Sequence, residues 1–173
     1  MKFDTTETIL LLIMILFGIV AVYVTKRKPE AKKPEAKVEA KTVKIAEGWT
    51  VFNMDKEGNC VNSASIPQTE DSFIIGTSPD SDFRILNKLV SRRHLIVVNT
   101  DNGMMISDNN SSYSTFINGN RIIDSPVENG QVVWLADSPV IFIAPGTYTD
   151  EKKLKALTIQ NIRDYGVPVI TEK

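Results

Sequence analysis

From Trp49 to Ile143 the chain is a succession of short apolar runs separated by Gly, Asn, Asp and Ser, with no helical period between them. That pattern narrows the choice of fold sharply. Strands alternate with period two and end where the backbone turns, and Gly and Asn tolerate the left-handed conformations that tight turns require. Val51-Phe52 and Cys60-Val61 flank Asp55–Asn59 and predict a hairpin. Phe73-Ile74-Ile75 stops at the polar stretch Gly76–Asp82, and Phe83–Leu86 predicts a further short strand. Leu95–Val98 and Met104–Ile106 are separated by Asn99–Gly103. Thr115–Ile117 and Asn120–Ile123 close on Asn118-Gly119, the strongest short hairpin signal. Gln131–Leu135 follows Asn129-Gly130, and Val140–Ile143 follows Ser138-Pro139. Many short strands without intervening helices predict an all-β sandwich, rich in antiparallel pairs, over residues 47–146. Phe73, Phe83, Met104, Met105, Phe116 and Phe142 read as core at period two. Trp134 reads as core or partly exposed, and Cys60 as a half-buried strand residue.

The flanks differ in kind. After a short segment 1–8, Ile9–Val24 is apolar without interruption. As a helix at about 1.5 Å per residue it covers roughly 24 Å, and the neighbouring Thr side chains and Lys stems extend it toward a hydrocarbon core of about 30 Å. It is apolar on every face, which predicts a transmembrane helix over 9–25 in contact with the lipid bilayer. A cleaved signal peptide is the rival, but Asp4 and Glu7 precede the run and no small-x-small site follows it. Lys26, Arg27, Lys28, Lys32 and Lys33 follow the run, whereas only Lys2 precedes it. The positive-inside rule therefore predicts a single-pass protein with its N-terminus outside and its folded domain in the cytoplasm. Residues 26–46 repeat Lys-Pro-Glu-Ala and bury nothing, so they read as a linker. In the tail, 147–173, Leu154, Leu157 and Ile162 fall on helical spacing between a Thr149-Asp150 start and a Gly166 stop.

Composition excludes several function classes. The formal net charge of −1 and the isolated pair Arg92-Arg93 argue against a nucleic-acid partner. Cys60 is the single cysteine and His94 the single histidine, so neither an intramolecular disulfide nor a Cys/His metal site is expected. No cofactor-binding motif occurs, no acidic orienter for a Ser91–His94 dyad is evident nearby, and Asp80 and Asp82 lie in a Ser-Pro-Asp turn where carboxylates cap backbone N–H groups. An enzyme is not expected.

Two polar loops carry the functional signal. Ser91-Arg92-Arg93-His94 runs into the apolar Leu95–Val98, and Asp108–Thr115 runs into Phe116-Ile117-Asn118-Gly119. Hydroxyl- and guanidinium-rich loops at strand ends present donors to an anion. Gly76 with its Ser-Pro-Asp loop, then Ser-Arg-x-His, then the Thr-Phe-Ile-Asn-Gly hairpin, in this order, resembles the forkhead-associated (FHA) domain family. The resemblance spans roughly Val51 to Pro145. It implies a twisted β-sandwich of about eleven strands that reads phosphothreonine with loops at one end. It implies that Ser91 donates to the phosphate, that Arg92 contacts the peptide and that Ser112 hydrogen-bonds the phosphate. Gly76, His94, Asn118 and Gly119 would serve structure, with His94 bracing the loops. The family has Arg directly after the first Gly, where this chain has Thr77. It has Asn-Gly-Thr in the later loop, where this chain has Tyr113-Ser114-Thr115. Losing one charge-assisted contact costs about 1.5–3 kcal/mol, so Lys88, Arg92 or Arg93, and more remotely Arg84, are candidate substitutes. Two expectations follow: a reader of a phosphothreonine-containing protein partner, or a scaffold that binds an unphosphorylated partner in a membrane-associated assembly such as a secretion apparatus.

Overall fold

In the computed structural model, residues 48–69 and 71–172 are described; the segments expected at 1–8, 9–25 and 26–46 lie outside them. Among the described residues, eleven strands form two sheets. β1 (Thr50–Met54) and β2 (Cys60–Ser65) make the predicted hairpin, with Val51 opposite Ala64. β3 (Phe73–Gly76), β4 (Phe83–Arg84), β5 (Leu95–Thr100) and β6 (Gly103–Asp108) follow. β7 (Thr115–Ile117) and β8 (Asn120–Ile122) close on Asn118 and Gly119. Both turn residues have positive φ, 49° and 76°, the conformation a two-residue primed turn requires. β9 (Asp124–Pro126), β10 (Gln131–Leu135) and β11 (Ser138–Ile143) complete the set. One sheet has the order β2-β1-β11-β10-β7-β8, and the other β4-β3-β5-β6-β9.

Each side-chain layer follows from strand alternation. Val51, Val133, Val140 and Phe142 point between the sheets, where they meet Ile75, Leu95, Val97 and Ile106. Their strand neighbours Phe52, Trp134, Ile141 and Ile143 point to the opposite face and are buried there too. A strand apolar on both faces needs cover on both. The cover is α1 (Glu151–Tyr165), which applies Leu154, Leu157 and Ile162 to that outer face. These positions and the buried Thr158 and Asn161 form one helical stripe. The helix starts and stops where the sequence predicts: Asp150 accepts from the Lys153 N–H at 2.8 Å, and the Gly166 N–H returns to the Ile162 carbonyl. Trp134 is core, and its indole N–H donates to Asn161 Oδ1 on α1 at 2.8 Å.

The structure corrects three expectations and adds two features. The strand over Phe83–Leu86 ends at Arg84; Ile85 turns inward and Leu86 outward, 81% exposed. β4 pairs with β3 in parallel, the one parallel pairing among the described strands of an otherwise antiparallel arrangement. The short strand β9 pairs with β6, although Pro126 and its polar neighbours give it no apolar signature. Cys60 is exposed, because β2 is an edge strand with one neighbour. Met105 and Phe116 are half-buried, and Phe116 packs on the helix side of its sheet. Among the described residues, no helix is long and apolar enough to cross a membrane.

Candidate functional site

The two polar loops and the Gly76 turn meet at one end of the sandwich. β3 delivers Gly76 against the backbone of Ser91 and Arg92, where a Cβ would overlap the Arg92 carbonyl; only glycine permits this approach. The contact is stitched by the Thr77 N–H to the Ser91 carbonyl (3.1 Å) and the Ser78 N–H to the Arg92 carbonyl (3.0 Å). The Ser81 hydroxyl adds a third bond to the Arg92 carbonyl. In the preceding turn, Asp82 accepts the Ile74 N–H, the capping role expected of a carboxylate there.

His94 joins the Ser91 loop to the Asp108–Thr115 loop from within. It is fully buried; its Nδ1 accepts the Ser91 N–H at 3.0 Å and its Nε2 lies 3.2 Å from the Ser114 carbonyl. A nitrogen that accepts an N–H carries no proton, so the ring is neutral and Nε2–H donates to Ser114. Asp108 Oδ1 lies 3.9 Å from Nε2, so an acidic neighbour that is not evident in the sequence does exist. It does not make a dyad, because the lone pair that would take a Ser91 proton is committed to the backbone. Asp108 instead receives the hydroxyls of Ser111 and Thr115 and fixes the loop. Ser114 takes a φ of 66°, which places its carbonyl for both His94 and the Ala136 N–H.

The result is a hydroxyl apex. Ser91 is half-buried and its Oγ accepts the Ser112 N–H at 3.0 Å, which locks the two loops in register. No acceptor among the described residues takes the Ser91 hydroxyl proton. Thr77 is half-buried beside the same backbone, and Ser112 is exposed at the apex. Tyr113 is half-buried in the later loop, and Arg92 and Arg93 are exposed. Lys88 shares a shallow depression with Thr77 and Arg84. Asn118 and Gly119 are elsewhere: Asn118 meets Asn161 and Gly119 faces Tyr165, so that hairpin serves the helix contact. Sequence reasoning missed Asp108, Ser111 and Ser114; a carboxylate at a strand end followed by two spaced serines is the local signal that marks a self-bonded loop.

Residues 73–136 match the family model for the FHA domain, and the chain therefore carries an FHA domain. The ABC transporter ATP-binding/permease protein Rv1747 of Mycobacterium tuberculosis is 38% identical over 73 residues. That match covers 42% of this chain and 8% of the transporter's length, so it concerns a module within a much larger protein. A solved structure described under phosphothreonine-dependent FHA domain interactions superposes with a TM-score of 0.51 at 27% identity, covering 58% of this chain and 99% of that one. The FHA domain of the CT664 protein from Chlamydia trachomatis shares the fold, with a TM-score of 0.50 at 20% identity over 56% of this chain and 96% of its own. In its homologues the FHA domain is a phosphothreonine-binding protein-interaction module.

Proposed function

We propose that this chain is a membrane-anchored interaction module whose loop apex binds a phosphothreonine-containing protein partner in the cytoplasm. The uncommitted Ser91 hydroxyl carries the reading. It accepts the Ser112 N–H, and its own backbone N–H is pinned to His94, so the oxygen is positioned while its proton stays unclaimed among the described residues. A phosphate brings a charge of about −1.5 to −2 and strong acceptor oxygens, the complement of such donors. Ser91, Ser112 and Thr77 are the proposed phosphate donors, and Arg92, Tyr113 and Lys88 the proposed flanking contacts. The apolar run Ile9–Val24 and the lysines after it support anchoring with the domain on the cytoplasmic side.

The test is titration of the full chain, in detergent micelles, with a degenerate phosphothreonine peptide pool and its unphosphorylated counterpart. Binding that requires the phosphate and disappears in Ser91→Ala is the expected result. Equal binding of both pools would favour the scaffold reading instead. One observation supports that second reading: Leu86 and Val61, 81% and 64% exposed, face a groove beside the β1–β2 hairpin that needs no phosphate to be filled.

A further inference from the structure

The apex offers hydroxyls and backbone N–H groups, all neutral, to a ligand that carries close to two negative charges. A cation is needed within reach, and the position after Gly76 is Thr77. Four basic side chains, Arg84, Lys88, Arg92 and Arg93, surround the loops, all exposed. Among the described residues, neither Lys88, Arg92 nor Arg93 has its charged head held by a loop atom. Arg84 does. The parallel register sets it opposite Gly76, and its Nε donates to the Thr77 carbonyl at 3.1 Å. Its own carbonyl is gripped by Asn62 Nδ2 at 3.1 Å, so both backbone and side chain are located. A guanidinium has five N–H groups; this contact uses one, and no carboxylate among the described residues pairs with Arg84.

We propose that Arg84, reaching across from β4, supplies the phosphate-binding charge at this apex, with Lys88, which lines the same depression as Thr77, as a weaker contributor. This rests on the phosphothreonine reading. It makes Arg84 a binding residue that a search confined to the two loops overlooks, because seven positions of chain separate it from the residue it touches.

The full chain in detergent micelles is titrated with the degenerate phosphothreonine pool, beside Arg84→Gln, Arg84→Lys, Lys88→Ala, Arg92→Ala and Ser91→Ala. Arg84→Gln should weaken binding by about ten- to a hundredfold at unchanged melting temperature, Arg84→Lys should recover part of it, and Lys88→Ala should lose less. The salt dependence of affinity should also become shallower in Arg84→Gln, a change that loss of a purely structural contact would not produce. If Ser91→Ala abolishes binding while Arg84→Gln leaves it intact, or if Arg92→Ala takes the larger loss, Arg84 is not the cation although the phosphothreonine reading stands. If the unaltered chain does not distinguish phosphorylated from unphosphorylated peptides, both fall.

Discussion

The loop apex and the sheet face beneath α1 belong to one sandwich but are held by different forces. The apex is tied by directional hydrogen bonds: Thr77 to Ser91, Ser91 and Ser114 to His94, and Ser111 and Thr115 to Asp108. The opposite case is the outer face of the six-stranded sheet, where Phe52, Trp134, Ile141 and Ile143 lie under Leu154 and one indole bond adds direction. Nondirectional burial tolerates small rearrangement, whereas a lattice that presents donors to a ligand does not. Substitutions in the two regions can therefore be compared for their separate effects on stability and on the proposed binding. The FHA match ends at residue 136, so α1 lies outside it, yet the sheet it covers could not stay apolar on that face without it.

Breaking this separation begins with the largest effect. Trp134→Ala should cost about 3–5 kcal/mol in chemical denaturation, since it opens a cavity under α1 and orphans Asn161. Phosphopeptide affinity of the folded fraction should stay within about twofold, a difference of roughly 0.4 kcal/mol. A large affinity loss would show that the two regions are coupled. His94→Ala is the sharper test of the apex. It leaves the Ser91 N–H without its acceptor, at about 1–3 kcal/mol, while the Ser114 carbonyl keeps the Ala136 N–H. Stability and affinity should fall together there, whereas Ser91→Ala should lower affinity with little change in melting temperature. Asp150→Ala removes the cap of α1 and should cost about 1 kcal/mol, visible as a lower denaturation midpoint and early exchange of the first-turn amides.

The smallest effect concerns pH. Partial burial pushes the Asp137 carboxyl up, but hydrogen bonds from Lys56 and Asn87 and the Lys56 charge outweigh it and hold the carboxyl below its ordinary value. In the unfolded chain the same carboxyl takes its proton near pH 4, about 3.9. Its stabilisation is therefore complete above that value and lost as pH falls through the lower folded one. Because Lys56 is half-exposed, the effect is slight. Asp137→Asn should lower the melting temperature slightly at pH 7, and the difference from the unaltered chain should close as pH falls below about 4, which flattens the acid limb. An unchanged acid limb would show that this pair plays no part in stability.

Much of this architecture was legible along the chain. Asn118-Gly119 announced its hairpin because only a few residues accept positive φ, and the Asp150 and Gly166 limits of α1 follow from the same local chemistry. The unbroken runs Val132–Leu135 and Val140–Ile143 are apolar at every position and so already imply a sheet covered on both faces. β9 was hidden because its only support is the ladder of β6, and Leu86 read as strand because composition does not reveal that the chain turns after Arg84. In the site, Ser91, Thr77 and Ser112 could be nominated from their order. Their meeting could not, since Thr77 reaches Ser91 through backbone bonds that depend on how three loops pack.

Local order fixed what short-range physics controls: which segments extend, where they turn, which faces are apolar and which loops carry hydroxyls. The tertiary structure alone decided the tautomer of His94, the neighbour it finds in Asp108, and the placement of Arg84 beside Thr77. The physical reason is register. A parallel pairing two residues long sets Arg84 across from Gly76, and no periodicity within the chain encodes which strand will lie beside which.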